Sequence, residues 1–160
     1  MNHSTRRLPS RLLTADIVLA GAESSPLPPE GLANILARMS PDDAPIPPPQ
    51  RLAEALSSHR FDEVIPYLAD SVEWDLVGEV TLEGREAVVD ALRETAARLA
   101  DVRTEFTRFV VVARGDAVVV DSVAAYLAAD GDRSVVSSCD VYEFEGGRIA
   151  RIRSYNVELG

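Results

Sequence analysis

The sequence predicts an α+β domain in which a curved antiparallel β-sheet wraps around a long helix, making a cone-shaped barrel with an internal pocket. Three observations predict it. Helical stripes and one alternating stretch come first, in the order ααβα. A meander of three or four strands then runs to the C-terminus without another helix. The turns of that meander, Arg114-Gly115-Asp116, Asp130-Gly131 and Gly146-Gly147, each carry the glycine that tight hairpins require. Helices followed by a run of antiparallel strands settle on one face of the sheet. A sheet curled around them leaves an apolar cone suited to a small molecule.

Nine of the ten prolines lie within residues 1–49, which sets a proline-rich extension apart from a body at 50–160. Within the extension, Leu32, Ile35, Leu36 and Met39 fall on one stripe, so a short helix is expected at about 30–39, serving as a lid or packing on the body. In the body, RLAEALSS is a first helix and FDEVIPYLA a second. SVEWDLV alternates, with Val72, Trp74 and Leu76 on one face, and reads as a strand. Gly84 opens a long helix whose Val88, Ala91, Leu92, Thr95 and Leu99 form the buried stripe. Strands follow at about 102–113, 117–127, 134–145 and 148–157.

Composition excludes several chemistries. The 160 residues carry a formal charge of −10, which argues against nucleic acid or an anionic membrane as partner. Every basic residue is arginine, removing Schiff-base lysines and P-loops and pointing to a GC-rich bacterial genome. Two histidines, His3 and His59, make a metal site or a Ser-His-Asp triad improbable, so no metal or cofactor is expected. One cysteine, Cys139, makes a cytoplasmic location the default. No apolar run approaches the roughly 20 residues of a membrane helix. Arg6-Arg7 before an apolar stretch imitates an export signal, but Asp16 interrupts that stretch, and a cytosolic tail is the favoured reading.

One residue stands out against this background. Asp140 sits in the middle of a strand, where aspartate is depleted and costly to bury as a charge. It is solvated, paired, or retained for chemistry. If Asp130-Gly131 is a two-residue loop, Asp121 stands directly opposite Asp140, with Cβ atoms about 4.5–5.5 Å apart. Two such carboxyls would share a proton. A loop one residue longer dissolves the pair.

The body resembles the nuclear-transport-factor-2-like superfamily, most closely its SnoaL-like and ketosteroid-isomerase-like branch. RFDEVIPYLADSVEW, LEGREAVVDAL and DVYEFEGGRIARIRSY carry the likeness, over about residues 50–157. The resemblance implies that Asp140 matches the aspartate with which the isomerases hydrogen-bond a developing oxyanion. Asp140 is then the first catalytic candidate, with Asp121 as its partner. Asp75 is the candidate for the proton-abstracting base, although alternation with Val72 and Trp74 turns it away from the pocket. Ser138, Tyr142, Ser154 and Asn156 would face inward beside Asp140, with Trp74 as wall, forming the substrate contacts. Arg151, Arg153 and Tyr155 would face outward, and His59 would lie at the surface. The isomerases' first-helix tyrosine falls near Leu52, so a strict ketosteroid isomerase is not expected. The Asp-Arg-Asp set of the limonene epoxide hydrolases falls near Ala124, Ser122 and Ser154.

Two readings follow. The first is a cofactor-free isomerase- or cyclase-type enzyme acting by aspartate acid/base chemistry on a small hydrophobic, enolisable, polyketide-like molecule. The second is a non-catalytic binding or dimerisation module of the same fold. A homodimer is expected under either, because Val118, Val120, Tyr126, Val135 and Val141 are assigned to an outer face too apolar for open water.

Overall fold

A computed structural model describes residues 46–159. The helix expected at about 30–39 lies outside the described residues. Helix α1 (Pro49–Ser57) begins with proline in its first turn, where the missing N–H costs nothing. It buries Leu52, Ala53, Leu56 and Ser57, a stripe repeating every four residues. Its end is a Schellman motif: the Arg60 N–H donates to Ala55 O at 2.9 Å and the His59 N–H to Leu56 O at 3.0 Å. His59, at φ 59°, takes the left-handed position that glycine usually fills. Its ring stands edge-on to Phe61, and burial lowers its pKa well below the ordinary value, so it is not the surface residue expected. The second expected helix is a single turn, α2 (Phe61–Val64), continued by a 3₁₀ turn over Ile65–Tyr67.

Strand β1 (Leu68–Leu76) turns Val72, Trp74 and Leu76 inward. It folds back through β2 (Val80–Glu83), a strand missed in the sequence because its alternation, Val80-Thr81-Leu82-Glu83, lasts only four residues. Helix α3 (Arg85–Leu99) buries Val88, Val89, Leu92, Thr95 and Leu99. Arg85 anchors its start, donating to Leu68 O at 2.6 Å and to Ile65 O at 2.8 Å. The meander is β3 (Val102–Arg114), β4 (Ala117–Ala128), β5 (Arg133–Glu145) and β6 (Arg148–Leu159).

The six strands form one sheet in the order β2-β1-β6-β5-β4-β3. All neighbours are antiparallel except β1 and β6, which run parallel, a pairing that the expected antiparallel meander did not assign to the first strand. The meander returns β6 along the flank of β1 in the same direction. In this order β2 and β3 form the two edges, and the sheet remains open.

Two irregularities decide which side chains face inward. In β3 a bulge between Phe106 and Arg108 changes the inner set from Thr104 and Phe106 to Phe109 and Val111. In β6 a shift near Phe144 changes it from Ile149 to Ile152, Ser154 and Asn156. The main core gathers Leu52, Leu56, Trp74, Leu92, Tyr142 and Ile152 between the sheet and the helices, and a smaller cluster holds Ala124, Tyr126 and Val136.

Candidate functional site

The expected facing of Asp121 and Asp140 does not occur. Asp140 stands opposite Val120, and Asp121 opposite Cys139. The physical reason is the turn. The Ala128 N–H donates to Asp132 O at 2.9 Å, closing a three-residue loop with Gly131 at φ 91°. One extra loop residue slides the register and sends every side chain of β4 to the other face relative to β5. Asp121 therefore lies on the outer face, where Arg108 Nη2 meets its Oδ2 at 2.6 Å. The same slip corrects the outer-face assignment: Val118, Val120 and Tyr126 are buried inside, while Val135 and Val141 stay outside. Asp75 is also outside, with Arg153 at 3.7 Å, as its neighbour Trp74 points inward.

Asp140 is 3% exposed and the one acidic or basic side chain in the buried set of described residues. Four side chains surround its carboxyl. Ser154, directly opposite on β6, hydrogen-bonds it. The Trp74 Nε1–H from β1 donates to Ser154 Oγ at 3.0 Å. From α1, the Ser57 hydroxyl donates to Asp140 Oδ2 at 3.1 Å and lies 2.6 Å from Tyr142 Oη. Burial pushes the Asp140 pKa up, and the hydrogen bonds from Ser154 and Ser57 oppose that rise. Tyr142 is pushed well above the ordinary phenol value, first by burial and then by the charge of Asp140. Cys139, on the outer face, is raised chiefly by its own burial.

One row further along the sheet, Ser122, Ser138 and Asn156 stand opposite one another across β4, β5 and β6. A row is two residues, or about 6.7 Å along the strand. Asn156 Oδ1 is buried there and has no hydrogen-bond partner among the described residues. The structure thus brings together Asp140, Trp74, Tyr142 and Ser154, sets Ser138 and Asn156 beside them, and leaves Asp121 and Asp75 out. Sequence reasoning missed Ser57. The available signal was its place one turn beyond Ala53 on the buried stripe of α1.

A separate cleft of about 360 Å³ is lined by Pro47, Arg51, Leu52, Ala55, Glu63 and Tyr67. Among the described residues no cluster of three or more His, Cys, Asp or Glu could hold a metal ion. No helix there is long and apolar enough to cross a membrane.

An open, curved six-stranded sheet packed against three helices is the nuclear-transport-factor-2-like cone. Residues 50–152 match the SnoaL-like domain, and the chain belongs to that family. A nuclear-transport-factor-2-like protein of unknown function from Cytophaga hutchinsonii is 26% identical, with 67% of this chain and 94% of that one covered and a TM-score of 0.59. An epoxide hydrolase of the limonene type from Mycobacterium tuberculosis is 27% identical over 68% and 82% of the two chains, with a TM-score of 0.54. A candidate polyketide cyclase from Pseudomonas putida shares the fold at 17% identity, over 68% and 91%, with a TM-score of 0.55. No curated protein matches the sequence. The positions where the epoxide-hydrolase set was expected, Ala124, Ser122 and Ser154, are buried and carry no charge.

Proposed function

We propose that the chain is a cofactor-free isomerase- or cyclase-type enzyme that moves a proton on a small hydrophobic, enolisable, polyketide-like substrate, with Asp140 as the acid/base. The observation that carries this reading is the state of Asp140. It is a carboxyl sealed on the inner face, made a weaker acid by burial, and held by hydroxyls. A raised carboxyl pKa moves toward the range where general acid–base catalysis is most effective. Abstraction next to a carbonyl needs a base and a stabilised enolate. Asp140 takes the proton, Ser154 steadies its carboxyl, the Ser138–Asn156 row holds the substrate oxygens, and Trp74 and Tyr142 form the wall. Family membership and the candidate cyclase among the similar folds support the class of reaction. Asp121 and Asp75 take no part, because both point out of the cone and are paired with arginine.

The test is untargeted mass spectrometry of a bacterial metabolite extract incubated with wild type and with Asp140→Asn. A new isomer or cyclised product made by wild type alone is expected. Equal product with both proteins overturns the role of Asp140. The second reading, a non-catalytic binding module, is favoured by the closure of the hydroxyl network, since Ser57 and Ser154 already satisfy the carboxyl. It predicts a compound retained by both proteins and converted by neither.

We also propose a homodimer formed through the outer sheet face. What supports it is that Val110 and Val112 of β3 and Tyr155 and Val157 of β6 are exposed on that face, where a partner would cover them.

A further inference from the structure

Ser57 touches both ionisable groups of the site. Its Oγ lies 3.1 Å from Asp140 Oδ2 and 2.6 Å from Tyr142 Oη, and all three residues are buried. A serine hydroxyl has one hydrogen, so it donates to one of the two at a time. Tyr142 keeps its own hydrogen, because burial and the charge of Asp140 both oppose its loss.

Two arrangements satisfy these constraints with Ser57 donating to one partner in each. With Asp140 ionised, the Tyr142 hydroxyl donates to Ser57 Oγ and the Ser57 hydroxyl donates to Asp140 Oδ2. With a proton on Asp140 Oδ2, the carboxyl donates to Ser57 Oγ, Ser57 turns its hydrogen to Tyr142 Oη, and the phenol hydrogen is released from the serine. Only the proton gained by Asp140 is new; the other two hydrogens rotate. The opposite arm behaves differently. The Trp74 Nε1–H is a donor only and fills an acceptor site on Ser154 Oγ at 3.0 Å, which leaves the Ser154 hydrogen for Asp140. One arm is fixed and the other can reverse.

We propose that Ser57 is a positioning residue that couples Asp140 to Tyr142, its hydroxyl hydrogen reversing direction as the carboxyl gains or loses a proton, so that carboxyl and phenol work as one acid/base unit. This deepens the acid/base reading of the same site. Among the described residues, the groups set against Asp140 are Ser57 of α1 and Tyr142 of β5, which reverse, Ser154 of β6 with Trp74 of β1 behind it, which stay fixed, and the apolar Val120 of β4. The ionisable groups beside it in the strand register, Cys139, Asp121 and Arg153, belong to the outer face.

The test needs no substrate. Trp74 is the one tryptophan in the chain and is joined to Asp140 through Ser154, so its fluorescence follows the ionisation of the carboxyl. The full chain is titrated by tryptophan fluorescence and by ¹³C NMR of aspartate carboxyls. The proteins compared are wild type, Ser57→Ala, Ser57→Thr, Tyr142→Phe and the Ser57→Ala/Tyr142→Phe double variant. Ser57→Ala removes a hydrogen bond to the charged form, so Asp140 should hold its proton about tenfold more tightly. Ser57→Thr, which keeps the hydroxyl, should restore the wild-type midpoint. Tyr142→Phe should move the midpoint the same way by less, and should add nothing once Ser57 is alanine.

A wild-type midpoint in Ser57→Ala overturns the proposal. So does an equal effect of Tyr142→Phe with and without Ser57. If Ser57→Ala does not fold, the decision falls to Tyr142→Phe alone, whose unchanged midpoint overturns the coupling. The catalytic reading fails separately. Undiminished turnover in Asp140→Asn removes the catalytic role of Asp140 while an observed coupling stands, and lost turnover with no coupling does the reverse.

Discussion

Replacing Asp140 with asparagine should make the folded protein more stable at neutral pH, and by an amount that depends on pH in a fixed direction. Asparagine keeps the size of the side chain and an acceptor for Ser57 or Ser154, but carries no charge to bury. Burial raises the folded-state pKa of Asp140 above its unfolded value, which is about 3.9 in an open chain. The contribution of a group shifted this way is fully present below the unfolded pKa and is lost as pH rises through the folded one. Between the two values the folded chain keeps a proton that the unfolded chain has released. Across that window the wild type should lose about 1.4 kcal/mol per pH unit relative to Asp140→Asn. Above the folded pKa the difference should stay constant. The assay is urea unfolding of both proteins at intervals from pH 4 to pH 8, followed by circular dichroism. All other titrating groups, His59 among them, are common to both proteins and cancel in the difference. A flat difference across the whole range, or one that favours wild type more as pH rises, would refute the claim that Asp140 is a carboxyl held against its charge.

Three further outcomes are expected. Arg85→Met removes both hydrogen bonds that tie the start of α3 to Leu68 O and Ile65 O, and should cost about 1–3 kcal/mol in a urea titration, with an unchanged midpoint counting against that anchor. Ser154→Ala leaves the buried Trp74 N–H without its partner; a loss of about 1–3 kcal/mol is expected, together with a change in tryptophan emission that Ser138→Ala should not produce. Val112→Glu combined with Val157→Glu places charges on the outer face of β3 and β6, and should turn a dimer into a monomer in sedimentation velocity, whereas a wild-type monomer at micromolar concentration would remove the proposed interface.

Much of the fold could be read directly from residue patterns. The stripe of α3, the alternation of β1 and the Gly146-Gly147 turn are local signals, and each produces the element expected from it. The Gly146-Gly147 turn fixes only the first pairs of the β5–β6 hairpin and by itself would set Arg153 against Asp140. The shift between Glu143 and Phe144 brings Ser154 to Asp140 and Asn156 to Ser138. The inward facing of both is expected from the family resemblance rather than from the turn. What could not be read depends on single residues. Asp130-Gly131 is equally compatible with a loop of two residues or of three, and Ala129 joining the loop is enough to turn Asp121 outward. The bulge after Phe106 has no marker in the sequence. Ser57 was hidden for another reason: its partners are 83 and 85 positions away, and serine near the end of a helix ordinarily reads as a cap. Its neighbour Ser58 does act locally, donating to Glu54 O at 2.5 Å.

The division of polar groups between the two faces says what kind of chemistry each can support. Outside, carboxylates sit with arginines: Asp121 with Arg108, Asp75 with Arg153, and Glu73 with Arg151. These pairs are substantially exposed, so solvent screens them and each adds little to stability. Inside, the same residue type meets only hydroxyls. Among the described residues no buried cation balances Asp140, so its charge must be offset by the dipoles of Ser57 and Ser154 or avoided by protonation. A buried salt bridge would have fixed the carboxyl as an anion. Hydroxyl partners leave both protonation states accessible, since a hydroxyl can donate or accept by rotating. A group whose role is purely structural gains nothing from that ambiguity, and a proton-transfer group requires it. The slip that carried Asp121 out of the cone therefore strengthens the acid/base reading of Asp140. A second carboxyl facing it would have held one shared proton between two oxygens, whereas a lone carboxyl among hydroxyls can pass its proton on.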